Sequence, residues 1–192
     1  MRLLLASKSP RRRQLLSELG YPVEFINIDV DESLGAHVDA DRVAETLARR
    51  KAAACPAQSL AEGDVLVTAD TVVVHRDQVL GKPKSRDEAL IMLRSLSGDR
   101  HTVYTGVCMR SREQEVSFTE ATDVVFRRLD EDDIAYYVDK YQPYDKAGAY
   151  GVQEWIGYIG IEAINGSFYN VMGLPTKLLW EMLKEALGAN YN

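Results

Sequence analysis

Cysteine is scarce, with two in 192 residues. Cys55 and Cys108 lie far apart, and neither has a second cysteine or a histidine at the close spacing a zinc site uses. That argues against a zinc protein and gives no support to a disulfide framework. Long apolar runs are also missing: no stretch approaches the roughly 18 residues a membrane-spanning helix needs. The N-terminal run stops at Ala6, too short for a signal peptide. Basic residues are in deficit, 23 Lys and Arg against 29 Asp and Glu, for a net charge of −6. A general nucleic-acid or anionic-membrane binder draws its affinity from the opposite balance. Neither GxxxxGK[ST] nor GxGxxG occurs, which excludes a P-loop and the dinucleotide fingerprint. There is no internal repeat or low-complexity tract. These absences predict a soluble protein of a reducing compartment, partnered by neither nucleic acid nor membrane.

What is present fits one globular domain or two small lobes sharing a cleft. A chain of this length buries roughly 70% of its unfolded surface. Apolar residues make up 46% and charged residues 27%, near the globular average. Leu3 to Ala6 has the look of a buried strand, and the segment after it reads as a helix from Arg11 to Leu19, closed by Gly20. Val23 to Ile28 alternates like a strand, and Arg42 to Ala54 spaces Val43, Leu47 and Ala54 along one helical face. Val65 to His75 is rich in β-branched residues and predicts a central strand, with Val79-Leu80 as a short partner. Ser85 followed by Glu88 is a capping box opening a helix over Arg86 to Leu96. His101 to Arg110 and Val116 to Phe126 read as a hairpin. A helix is predicted from Asp130 or Glu131 to about Val138, a strand over Ile159 to Ile164, and a last helix over Pro175 to Leu187. The class is α/β with a mixed sheet.

The first βα junction carries the clearest chemical signal. Ser7-Lys8-Ser9-Pro10 joins the strand to a helix whose first turn holds Arg11, Arg12 and Arg13. Ser9 is a natural N-cap and Pro10 fits the first turn, where its missing N–H costs nothing. The free N–H groups and the dipole of a helix start attract an anion. Three arginines there oppose the dipole by ~0.3–1 kcal/mol each, a cost that a bound anion offsets.

A phosphate site becomes a hydrolase when carboxylates or a divalent metal stand beside it. Asp70 in Thr68-Ala69-Asp70-Thr71 stands out, because a bare carboxylate among apolar and β-branched neighbours is costly. Asp31-Glu32 is a second, weaker acidic candidate. Lys51 and Lys82 are the candidate phosphate lysines, Lys82 in the stiff Gly81-Lys82-Pro83 turn and Lys51 on a helix after Arg49-Arg50. His101 has no nameable partner and reads as structural. Asp145 to Gly151 is a small-residue loop, and Trp155 to Tyr158 an aromatic stretch that would cover a ligand, meet a subunit or, by default, pack in the core. The residues by themselves lead to an α/β protein with a polyphosphate site.

Eleven short segments in order resemble the Maf family of nucleotide pyrophosphatases. They are Leu5 to Arg12, Asp31-Glu32, Lys51-Ala52, Ala69 to Val72, Gly81 to Pro83, Leu96 to Gly98, Tyr104 to Gly106, Asp145 to Gly148, Gly151 to Gln153, Asn165 to Ser167 and Val171 to Pro175. The resemblance covers nearly the whole chain, 1–192, as a single Maf-like domain of mixed-sheet α/β fold, with two lobes around a nucleotide cleft. It implies hydrolysis of a nucleoside triphosphate between the α and β phosphates, a divalent cation (Mg²⁺ or Mn²⁺), a cytoplasmic location and a homodimer. It also implies that Asp70 is the proton acceptor. Ser7, Ser9, Arg11, Arg12, Lys51 and Lys82 would then bind phosphate, and Glu32 with Asp70 the metal. Arg11, Thr71 and Gln153 are similar to the subfamily acting on dTTP and UTP, whose sister group acts on 7-methyl-GTP. Two rivals are a purine-directed house-cleaning pyrophosphatase of related fold and a non-enzymatic nucleotide-binding regulator of cell division and septum formation.

Overall fold

The computed structural model describes residues 2–31 and 39–187, so Glu32 lies outside the described residues. The chain forms two compact units.

The first unit comprises Met1–Asp70, Thr105–Glu120 and Gly173–Asn192. Strand β1 (Arg2–Ala6), helix α1 (Pro10–Ser17), strand β2 (Val23–Ile26), helix α2 (Val43–Ala53) and strand β3 (Asp64–His75) alternate in sequence. Strand β1 lies between β2 and β3 and parallel to both, with Leu3 opposite Val23 on one side and Val65 on the other. Parallel neighbours need crossover connections, which α1 and α2 supply. Leu4, Ala6 and Leu66 pack with Ala48 and Ala52 of α2 and with Cys108, a buried apolar cluster under the parallel strands. Both cysteines are free thiols, and burial pushes that of Cys108 up to about 12.

Strands β5 (Arg100–Arg110) and β6 (Glu115–Phe126) add their Thr105–Glu120 portion to this unit, and α7 (Thr176–Leu187) lies in its last segment. A Cβ on Gly106 would fall 2.2 Å from the backbone nitrogen of Glu45, so β5 meets α2 where only glycine fits. Arg110 donates to the carbonyls of Ala52 (2.8 Å), which also accepts from the Cys55 N–H at 3.1 Å, and of Cys55 (3.1 Å), holding β5 to the end of α2.

The second unit comprises Thr71–Tyr104 and Ala121–Met172. It contains the end of β3, strand β4 (Gln78–Leu80), helix α3 (Arg86–Leu96), helix α4 (Glu131–Tyr141), helix α5 (Trp155–Gly160), strand β7 (Ile161–Asn165) and helix α6 (Phe168–Met172). Strands β3 and β4 form a two-residue hairpin, with Arg76 and Asp77 both at positive φ as its turn requires. Strand β7 pairs antiparallel with β6 and breaks register between Val125 and Phe126. Leu93, Leu96, Phe126, Ile134, Tyr137 and Ile156 are fully buried at the centre of this unit's core. Among the described residues seven strands make one mixed sheet in the order β2-β1-β3-β5-β6-β7, with β4 on β3.

The predicted α/β class with a mixed sheet holds, and α3 has the predicted bounds. Its cap differs in one detail. Ser85 Oγ accepts from the Glu88 N–H at 3.2 Å, but the Glu88 carboxylate reaches back to the N–H of Lys84 instead of Ser85. Helix α1 ends at Ser17 and not Leu19, and Gly20 at φ +81° turns the chain toward β2. Residues 159 and 160 belong to α5, so the strand predicted from Ile159 begins at Ile161. The two shortest α-helices, α5 and α6, were not anticipated.

Candidate active site

The first unit brings the N-terminal candidates into one turn. Ser9 is the N-cap of α1 with Pro10 behind it, and its Oγ accepts from the Arg12 N–H at 3.5 Å. Ser7 Oγ accepts from the Ser9 N–H at 3.2 Å, so both hydroxyls fold onto the junction's backbone. The arginines do not simply oppose the dipole. Arg12 Nε donates to the Gly173 carbonyl at 2.7 Å, and Arg13 Nε donates to the Ser7 carbonyl at 2.9 Å while its guanidinium lies 5.0 Å from the Phe25 ring. Protein carbonyls and a ring face therefore carry part of the compensation assigned above to an anion. Lys8 pairs with Asp29 at 2.7 Å on the surface.

Asp70 and Lys51 come together. Lys51 Nζ lies 3.3 Å from Asp70 Oδ1, with the two side chains 13% and 11% exposed. The sequence alone left Lys51 on a solvated helix face; the structure leaves it half-buried against a carboxylate. Leu5 of β1 is opposite Val67 of β3, so Ser7 follows the carboxyl end of β1 while Asp70 stands inside β3, just beyond the stretch paired with β1. That carboxyl end is where open α/β sheets receive ligands. Arg50 donates to the Asp31 carbonyl at 2.9 Å, tying the residue before Glu32 to α2.

The second unit holds Thr71, Lys82 and Gln153. Lys82 is exposed in its turn, which is pinned by a 3.0 Å hydrogen bond from Gly148 N–H to the Gly81 carbonyl. Gly148 has φ +67°, and a Cβ there would lie 2.9 Å from Val73 Cγ2, so glycine is needed on both counts. Gln153 sits in a turn closed by Glu154 N–H to the Gly151 carbonyl at 3.0 Å. Its Oε1 is buried with no hydrogen-bond partner among the described residues. A buried acceptor left unpaired costs ~1–3 kcal/mol, which a ligand donor would recover.

Three residues around that turn escaped sequence reasoning. Tyr137 donates to Glu154 Oε2 and accepts from the Gly151 N–H at 3.0 Å, and Lys146 Nζ stands 3.0 Å from Glu154 Oε1. Burial, then Glu154, raise the Tyr137 hydroxyl above the usual phenol range. The only signal in the sequence was Lys146 within Asp145 to Gly148. Tyr158 is exposed and donates to the Gln153 carbonyl at 2.8 Å, whereas Trp155 packs edge-on to Tyr136, so the aromatic stretch divides its roles. His101 is structural as expected: Nε2 meets the Tyr150 hydroxyl at 2.7 Å and the ring stacks on Phe126.

Among the described residues no three His, Cys, Asp or Glu side chains gather as a metal cluster, and no helix is long and apolar enough to cross a membrane.

A mixed α/β sheet with a capped βα turn, and a Lys–Asp pair on the neighbouring strand, has the form of a phosphate-handling fold. The chain belongs to the Maf family: residues 2–186 match the model described as Maf-like protein. It is 54% identical over 185 residues to the dTTP/UTP pyrophosphatase of Bacteroides thetaiotaomicron, covering 95% of each chain. It is 47% identical to that of Porphyromonas gingivalis strain W83, covering 96% of this chain and 94% of the other. The solved Ham1 protein of Staphylococcus aureus superposes with a TM-score of 0.56 at 17% identity, covering 97% of this chain and 100% of that one, a likeness of fold.

Proposed function

We propose that this protein is a nucleoside triphosphate pyrophosphatase that hydrolyses dTTP and UTP to the monophosphate and pyrophosphate. Support comes from relatives bearing that name at 47–54% identity across nearly the whole of both chains. The single observation in the geometry that carries the reading is the largely shielded Lys51–Asp70 pair at 3.3 Å, with Asp70 on the strand beside the one that leads into the Ser7–Arg12 turn. The reading treats 1–192 as one Maf-like domain acting in the cytoplasm, as a homodimer.

Phosphoryl transfer asks for positioning and charge neutralisation more than for covalent help. Ser7, Ser9, Arg11 and Arg12, with Lys51 and Lys82, bind the triphosphate oxygens. Asp70 accepts a proton from the attacking water. The water oxygen bonds to the α phosphorus as the bond from that phosphorus to the bridging oxygen breaks, and pyrophosphate leaves with the electron pair. Lys51 holds the Asp70 carboxylate in place. Arg11, Thr71 and Gln153 select the base: Gln153 Oε1 accepts from the pyrimidine N3–H, and its Nε2 donates to a flanking carbonyl.

A hard divalent cation takes one or two carboxylates together with substrate phosphate oxygens. Asp70, little exposed and met at Oδ1 by Lys51, fits as one such carboxylate, and Glu32 would be the second. When bound, Mg²⁺ or Mn²⁺ supplies charge neutralisation on the phosphates.

Hydrolysis in ¹⁸O-labelled water tests the reaction. Label is expected in the nucleoside monophosphate alone. Label in pyrophosphate would place the attack on the β phosphorus and overturn the scheme.

A further inference from the structure

The hydrogen bonds around Gln153 satisfy the turn and leave one atom out. Gly151 N–H is held by the Tyr137 hydroxyl at 3.0 Å, and the Gly151 carbonyl by Glu154 N–H at 3.0 Å. The Gln153 carbonyl accepts from Tyr158 at 2.8 Å. The Glu154 carboxylate is gripped at both oxygens, by Tyr137 at Oε2 and by Lys146 at Oε1. Gly151 adds shape: a Cβ there would lie 2.8 Å from the Glu154 carboxyl carbon and 3.1 Å from Gln153 Nε2. The carboxamide is therefore packed against the backbone of a turn that Tyr137 ties at both ends, while Oε1 remains buried and unpaired. Tyr137 itself is fully buried, its ring stacked on Tyr141 with centroids 5.1 Å apart, so the anchor is rigid.

We propose that Tyr137 is a positioning residue for base selection, holding the Gly151–Glu154 turn so that Gln153 Oε1 is presented to the pyrimidine N3–H. This rests on the dTTP/UTP reading above. Cytosine carries a lone pair at N3 where uracil carries a proton, so the presented oxygen favours uracil and repels cytosine. Tyr137 does not touch substrate; it acts through Gln153 alone.

A double-mutant cycle on the whole enzyme tests this. kcat and KM for UTP would be measured for wild type, Tyr137→Phe, Gln153→Ala and the double variant, with CTP followed as substrate or as inhibitor of UTP hydrolysis. Tyr137→Phe is expected to lower kcat/KM for UTP about tenfold, the size of one lost hydrogen bond, and to leave CTP unchanged. In the Gln153→Ala background it should cost nothing further. Equal losses for UTP and CTP, or the same cost in both backgrounds, would overturn the proposal and make Tyr137 merely structural. If Tyr137→Phe fails to fold, Glu154→Gln loosens the same turn with Tyr137 in place and carries the same cycle to the same decision. A wild-type enzyme inactive on UTP and dTTP would instead overturn the functional reading, before any variant is compared.

Discussion

In the proposed mechanism Asp70 is the residue on which the chemistry turns. A carboxylate buried in a β-strand is expensive unless paired, and Lys51 supplies the pair. Asp70→Asn keeps the shape and removes the proposed proton acceptor, so turnover is expected to fall by ~10²–10⁴ with a folded protein by circular dichroism. Undiminished kcat would shift the role to Glu32. His101 makes a different prediction. Burial, chiefly, and neighbouring His75 lower its pKa to about 4 from an ordinary 6.5. The unfolded chain then binds the proton more readily than the native one. The stability tied to neutral His101 is complete above about pH 6.5 and is lost as pH falls toward 4, by about 3 kcal/mol in all. His101→Gln should flatten that slope: the melting temperature of wild type should fall further than the variant's between pH 7 and pH 4.5. Parallel declines would show that His101 takes no part in the acid sensitivity.

At the scale of elements, packing between β5 and α2 is set by one missing side chain. Gly106→Ala would drive a methyl to 2.2 Å from the backbone of Glu45, where no side chain can rotate away. Helix or strand must shift, and a loss of about 2–3 kcal/mol is expected in urea denaturation. A variant as stable as wild type would mean that α2 is free to move from β5. The Tyr104-Thr105-Gly106 segment was conspicuous in the sequence, but only coordinates show what the glycine admits. Elements with a strong local code were legible: α3 announces itself through Ser85 and Glu88, and α1 through Ser9 and Pro10. Helices α5 and α6 have six and five residues, too few for a 3.6-residue period to emerge from Trp-Ile-Gly-Tyr-Ile-Gly or Phe-Tyr-Asn-Val-Met. The candidate site divides in the same way. Ser9, Asp70 and the glycine turns are visible because their residue types are unusual for their local setting. Tyr137 and Glu154 are not, since a tyrosine on an amphipathic helix looks like any core residue until its hydroxyl is traced to Gly151 and Glu154, fourteen and seventeen positions on.

For the molecule as a whole, the acidic balance of −6 and the positively charged turn at Arg11 and Arg12 coexist because charge is placed locally. A basic βα junction suffices for a triphosphate, whereas a nucleic-acid surface needs basic residues spread over many phosphates. The central claim is the cleavage of pyrimidine triphosphates, and product analysis tests it most directly. Purified protein with Mg²⁺ would be given dTTP, UTP, CTP, GTP, ATP, ITP and 7-methyl-GTP, and the products separated. Monophosphate and pyrophosphate from dTTP and UTP, with the purine triphosphates left intact, is the expected result. Cleavage of purine triphosphates in their place, or no cleavage of any by folded protein, would contradict it, the first pointing to a purine house-cleaning enzyme and the second to a nucleotide-binding regulator.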